Sequence, residues 1–144
     1  MIQRIQSVWL LLSGLSILLL SKLPIYTGTL GDGTRKLLIT MERMHLMILA
    51  LLLIILPIIT IFLFKNRTGQ KKMIWVHILL NILMLLLFYV AKDGFLDAYK
   101  APEFVSSSYG LALVAPLLSL VLDIMAYIGI SNDEKLIKAA DKFR

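Results

Sequence analysis

An all-α fold is predicted for this chain: a four-helix antiparallel transmembrane bundle with a short amphipathic helix at its C-terminal end. Three observations carry that reading. Apolar runs cover Ile5 to Leu23, Met44 to Phe64, Met73 to Ala91 and Tyr109 to Ile130. Each run holds 19 to 22 residues, and at about 1.5 Å per helical residue such a run crosses a hydrocarbon core roughly 30 Å thick. Inside the four runs stand two formal charges, Lys22 at the very end of the first and Asp123 within the fourth, and two histidines, His45 and His77. With 59% hydrophobic residues and a mean hydropathy of +0.86, only short connectors remain outside the runs. Four uniformly apolar helices would therefore lack a larger soluble core to be buried in. In lipid, helices close their backbone hydrogen bonds internally, so apolar surfaces are what the surroundings favour. The chain reads as a single membrane domain over residues 1–144.

The first run follows Arg4, as a secretory leader would, but Ser21-Lys22-Leu23-Pro24 offers no small-x-small cleavage pattern. It is expected to stay as a spanning helix. The loop from Pro24 to Arg43 holds Gly31-Asp32-Gly33 between polar and β-branched stretches, a pattern that fits a small hairpin. The second run contains Pro57, and the fourth contains Pro116. Prolines are tolerated in spanning helices when neighbours satisfy the carbonyls they free. Only eight residues, Lys65 to Lys72, join the second and third runs, which should be antiparallel neighbours. The loop from Lys92 to Ser108 is polar and too short for a folded domain.

A net charge of +6 would suggest nucleic acid in a soluble protein; here it is read through topology, and no nucleic-acid partner is expected. Four spans place the N-terminus, the Lys65 to Lys72 loop and the C-terminal tail on one side. That side carries nine of the fifteen Lys and Arg, four of them within Lys65 to Lys72. Basic residues packed against helix ends favour the cytoplasmic side, so both termini are expected there, in a bacterial inner membrane. Trp75 and Tyr127 on that side, and Tyr26, Tyr89 and Tyr109 on the other, fit interfacial belts.

After Ile130, Ser131-Asn132-Asp133-Glu134 has capping-box spacing, and Leu136, Ile137, Ala140 and Phe143 recur at helical intervals. A separate helix over 131–144, lying at the headgroups, is expected.

Asp123 is the residue with the most chemistry to explain. It stands seven residues before Ile130, about 10 Å into the fourth span, and a carboxylate there needs a partner. His77 and Asn81, four apart on the third span, reach similar depth, and Arg4 could reach down from the interface. Two readings stand for this candidate cluster. One is interhelical hydrogen bonding; the other is proton or cation handling by Asp123 and His77. With one off-centre acid and no internal repeat, the structural reading is preferred. The absence of cysteine and two histidines on opposite sides argue against a metal site, and no cofactor is expected. No phosphate-cradling glycine loop or nucleophile elbow is present, and no enzyme activity is expected.

Three segments resemble a bacterial domain-of-unknown-function family, number 4293, of small four-helix membrane proteins. They are Met1-Ile2-Gln3-Arg4-Ile5-Gln6-Ser7-Val8-Trp9-Leu10-Leu11-Leu12, then Phe64-Lys65-Asn66-Arg67-Thr68-Gly69-Gln70 with Asn81 beyond, and Asp133-Glu134-Lys135-Leu136-Ile137-Lys138-Ala139-Ala140-Asp141-Lys142-Phe143-Arg144. The family's ending is similar, but here Asn132 precedes the acidic pair and Ala139 replaces a serine. The resemblance implies no activity. It draws attention to one candidate interaction face built from Gln3, Arg4, Asn66, Arg67, Gln70, Asp133, Glu134 and Asp141. The expected function is a non-catalytic accessory or scaffold protein presenting this basic face to a protein partner or anionic membrane lipid. The alternative is a small oligomeric transporter or channel subunit, and either could form a homo-oligomer.

Overall fold

The computed structural model describes residues 3–98 and 104–142. The elements in chain order are α1 (Gln3–Leu18), β1 (Pro24–Leu30), β2 (Arg35–Ile39), α2 (Met44–Phe62), α3 (Arg67–Ala98), β3 (Phe104–Tyr109) and α4 (Val114–Lys142). Short 3₁₀ turns at Leu19–Ser21, Thr40–Glu42 and Leu111–Leu113 lead out of α1, into α2 and into α4. Each helix packs on the next, and α4 closes the ring on α1. Three stretches, Met44–Phe62, Arg67–Ala98 and Leu111–Ala139, are long and apolar enough to cross a membrane, while the apolar part of α1, Ile5–Leu18, is shorter.

The expectation of an all-α chain is corrected by a three-stranded antiparallel sheet in the order β2-β1-β3. The two loops on that side both contribute to it. β1 and β2 form the hairpin anticipated at Gly31 to Gly33, where Gly33 takes a positive φ of 82° and Asp32 Oδ1 accepts the Thr34 amide at 2.9 Å. β3 then pairs with the other edge of β1, from Tyr26 opposite Tyr109 to Leu30 opposite Phe104. The run Phe104-Val105-Ser106-Ser107-Ser108 reads as polar loop because its hydroxyls disguise a strand. Their partners lie across β1: Thr27 bonds Ser108 at 3.0 Å, and Thr29 bonds Ser106. Gly110 lets this sheet close onto α4, since a Cβ there would lie 1.9 Å from the Pro24 carbonyl oxygen.

The helix bounds also move. α3 starts six residues before the expected span and ends seven after it, and α4 starts at Val114. No separate C-terminal helix exists among the described residues, because α4 runs unbroken from Val114 to Lys142. Ser131 lies inside that helix and caps nothing. The reason is packing: Ser119, Asp123, Ala126, Ile130 and Asp133 are all buried at alternating spacings of four and three, one continuous inward stripe that crosses the expected boundary.

Two apolar clusters fill the bundle. One, against the sheet, includes Ile17, Leu20, Leu49, Leu53, Met84, Phe88 and Ala115. The other, toward the end that carries both termini, holds Leu10, Ile74, Ala126 and Ile130. Between them lie buried polar residues of α1, α3 and α4. Outward-facing positions such as Leu11, Leu15, Leu51, Ile55, Leu79, Leu86, Val121 and Ile128 are large, apolar and exposed.

Candidate functional site

The polar layer between the two clusters draws on all four helices. α1 supplies Ser13 and Ser16, α3 supplies His77 and Asn81, and α4 supplies Ser119 and Asp123. In α3 and in α4 the pair is spaced by four, so one helical turn aims both side chains the same way. α2 contributes a backbone atom. Pro57 has no N–H to give to the carbonyl of residue 53, the usual i−4 partner. His77 takes that carbonyl instead: Nε2 lies 2.8 Å from Leu53 O.

This contact fixes the protons. A carbonyl oxygen only accepts, so His77 Nε2 carries a proton and donates it. Nδ1 of the same ring lies 2.7 Å from Asp123 Oδ2, too close for two bare lone pairs, so a proton lies between them. Whether written as imidazolium with carboxylate or as imidazole with carboxylic acid, the pair is neutral as a unit. Asp123 Oδ1 accepts the Ser13 hydroxyl at 2.7 Å. With that proton committed, Ser13 Oγ accepts from Ser119 Oγ at 2.8 Å, and Ser119 Oγ accepts from Asn81 Nδ2 at 3.1 Å. A directed chain thus runs Asn81, Ser119, Ser13, Asp123. Asp123 and Asn81 are 0% exposed and His77 is 2% exposed. Asn81 Oδ1 is buried without a partner among the described residues.

The structure therefore brings together His77, Asn81 and Asp123 of the residues singled out from sequence; the Arg4 side chain lies outside the described residues. Ser13, Ser119 and the Leu53 carbonyl are partners that sequence reasoning missed. Pro57 was a readable signal for the last of these, four residues after Leu53. The serines gave none beyond being hydroxyls at helical spacing.

The end of the bundle that carries both termini holds the second set. Asn66 caps α3, its Oδ1 accepting the Gly69 amide at 2.9 Å, as expected of an N-cap asparagine. Gln70 is buried and donates to Thr60 O at 3.0 Å, satisfying a carbonyl near the end of α2. Gln6 donates to Asp133 Oδ2 at 2.6 Å across α1 and α4. The approach needs Gly129, where a Cβ would sit 2.9 Å from Gln6 Cγ. Glu134 pairs with Lys71 of α3 and, at 2.8 Å, with Lys138 one turn along α4. Beyond the apolar run that ends at Ile130, Lys138 and then Lys71 hold the Glu134 carboxyl down to about 2. Glu134 in turn raises the Lys71 ammonium above its ordinary value. Arg67 is half-buried, with Nη1 enclosed and unpartnered among the described residues.

The candidate interaction face is thus in large part a set of clamps between helices. Asn66, Gln70, Asp133 and Glu134 bond within the chain, and the side chains of Gln3 and Asp141 lie outside the described residues. Lys65, Lys72, Lys135 and Lys138 remain exposed around the clamps. Among the described residues no three His, Asp or Glu side chains gather where they could hold a metal ion.

Comparison with known proteins adds one match. The model of the family described as a domain of unknown function, DUF4293, matches residues 2–143. No curated protein and no solved structure matches the chain.

Proposed function

Because the chain belongs to the DUF4293 family, which carries no activity to transfer, we propose a function from the geometry: a non-catalytic membrane protein that presents a basic face to a protein partner or anionic lipid. The observation that carries this reading is the inversion of polarity. Asp123, His77, Asn81, Ser13 and Ser119 lie at the centre, while leucines and isoleucines cover the outside of the helices. In water, so continuous an apolar exterior would be a liability; against hydrocarbon it is the favoured surface. The first helix fits too. Its 16 α-helical residues and the following three in a 3₁₀ turn together rise about 30 Å.

In this reading all four helices cross a bacterial inner membrane. The sheet lies outside, and both termini lie in the cytoplasm with the basic turn from Lys65 to Lys72. The polar layer serves cohesion between helices. Its acid and base neutralise one another, and its donors mostly end on acceptors within the layer. Charges that remain open to solvent at the terminal end are mainly lysines, which suits attraction to acidic headgroups or to an acidic protein surface. Homo-oligomers are compatible with this arrangement.

A second reading has one observation behind it. A buried carboxylate and imidazole sharing a proton could also hand that proton on, as a transporter or channel subunit would require.

One experiment separates the two. Tagged full-length protein is purified from its native membrane in mild detergent beside a version lacking residues 135–144. That truncation keeps Asp133 and Glu134 with their contacts to Gln6 of α1 and Lys71 of α3. The accessory reading expects a stoichiometric partner or anionic lipid that the truncation weakens and Asp123→Asn leaves in place. A pH-driven flux in liposomes that Asp123→Asn abolishes would replace it with the transport reading.

A further inference from the structure

An apolar groove of about 370 Å³ runs between α1 and α2, lined by Leu10, Gly14 and Leu18 on one side and Pro57, Ile61 and Phe62 on the other. It forms where both helices are thin. Gly14 has no side chain, and its bare Cα faces the Ile54 carbonyl and the Pro57 ring. From Ile54 to Phe64 the α2 side of the groove and the turn beyond it are eleven residues long, a rise of roughly 15 Å at helical spacing. That is half of a 30 Å hydrocarbon core, the depth of one leaflet.

At its terminal end the groove meets a small polar pocket of about 20 Å³. Leu10 lines both, and the pocket adds Gln6, Phe64, Arg67 and Gln70. Here Arg67 keeps Nη1 enclosed with no acceptor among the described residues. A guanidinium nitrogen removed from water and left without an acceptor is costly, and the chemistry that relieves it is an anionic oxygen. Lys65 stands exposed on the turn just before Arg67, and Lys72 is exposed on the first turns of α3. The nearby carboxylates Asp133 and Glu134 are already engaged by Gln6, Lys71 and Lys138.

A cationic pocket with room for about one oxygen atom, at the end of an apolar channel about one leaflet deep, complements the polarity of an anionic lipid. We infer that this seam binds one anionic glycerophospholipid, with an acyl chain along the α1–α2 groove and the phosphate oxygens on Arg67. Guanidinium favours this pairing, because its fork matches two phosphate oxygens at once. The inference rests on the membrane reading above and deepens it: the anionic lipid there invoked for a whole basic face acquires a single seat.

The test uses full-length protein in mild detergent, stripped of lipid and titrated with phosphatidylglycerol or phosphatidylcholine. Native mass spectrometry reads lipid retained per chain, and thermal unfolding reads the stabilisation. One phosphatidylglycerol per chain is expected to be retained and to raise Tm, with phosphatidylcholine weaker. Arg67→Gln should weaken phosphatidylglycerol about tenfold or more, whereas Lys72→Gln should change it far less. Leu15→Trp, at an exposed position on the groove wall, should weaken it from the apolar end. Lipid-free Tm of each variant checks that the fold is intact. If Arg67→Gln fails to fold, Arg67→Lys, which keeps charge but not the fork, takes its place with a smaller expected loss.

Equal losses from Lys72→Gln and Arg67→Gln, equal binding of the two lipids, or unchanged binding in the Arg67 variant would overturn the seat. Alkaline extraction of native membranes tests the underlying reading separately. Protein released by alkali sinks the membrane assignment, while protein that stays but retains no lipid sinks only this inference.

Discussion

Two acid–base pairs join α3 to α4, and they differ in almost everything except chemistry. His77 with Asp123 lies in the centre, its side chains 2% and 0% exposed; Lys71 with Glu134 lies at the terminal end, 24% and 20% exposed. In the central pair, each member has a further protein partner that water cannot replace: the Leu53 carbonyl for His77 and the Ser13 hydroxyl for Asp123. At the end, Glu134 divides itself between Lys71 and Lys138, and solvent competes for all three. Such contacts are energetically unalike. A buried pair costs much to form and much more to break, whereas an open one is near neutral. Position in the bundle, and not the identity of the pair, decides which contact holds the helices.

The largest expected effect breaks the comparison at its centre. Asp123→Ala leaves the Ser13 hydroxyl and His77 Nδ1 buried without their shared partner. It should cost about 3 kcal/mol, the loss typical of orphaning one member of a buried pair. Glu134→Ala should leave the bundle close to its original stability. Thermal unfolding of both variants, followed by circular dichroism in the same detergent, makes the measurement. Equal shifts would mean that the layer between the two apolar clusters contributes no more cohesion than a surface contact.

A smaller effect sharpens the account of why His77 is there. In the native chain His77 replaces the amide donor that Pro57 denies to Leu53 O. Pro57→Ala restores a backbone amide to that turn, so the carbonyl no longer depends on the imidazole. His77→Ala should then be less damaging in the Pro57→Ala background than alone, by about 1 kcal/mol, the worth of one hydrogen bond. A double-mutant cycle reads this difference directly. Additive losses would show that the Leu53 contact is incidental and that His77 acts only through Asp123.

The sequence already held much of this. Four apolar runs mark four helices because a 3.6-residue turn, a fixed rise and a near-absence of charge leave little choice. Asp123, His77 and Asn81 could be grouped from depth alone, since antiparallel neighbours put residues counted from the same end at the same level. The sheet was half legible. Gly31-Asp32-Gly33 announces its hairpin, but β3 is a serine run whose strand character depends on Thr27 and Thr29 across from it. The C-terminal boundary misled for a physical reason as well. Ser131-x-x-Glu134 is a good cap in isolation, yet Ile130 and Asp133 continue the buried stripe of α4, and packing outweighs a local capping preference. Asn66, Arg67, Gln70, Asp133 and Glu134 lie at one end of the bundle, but spacing along a chain does not tell whether Gln70 or Asp133 turns outward or clamps a neighbour.

The gentlest perturbation is protonation at the open end, and it tests the comparison without altering the core. Lys138 and Lys71 hold the Glu134 carboxyl at about 2 in the folded chain, below the 4.5 of an unperturbed glutamate. A group whose folded value is depressed stabilises the fold above its unfolded value, and that contribution is lost as pH falls toward the folded one. Lys71 has the opposite sign. Its raised value means the contribution is complete below 10.5 and fades only in more alkaline solution. Between these limits the terminal clamp is at full strength. The difference in Tm between wild type and Glu134→Gln should therefore be constant near neutrality and shrink as pH drops from about 4.5 toward about 2. It should also shrink in high salt, because half-exposed charges are screened. The loss caused by Asp123→Ala should not respond to salt, since its partners are enclosed and neutral as a set. If salt moves both variants alike, water reaches the central pair, and the reading of that layer as sealed cohesion gives way to one in which ions or protons enter it.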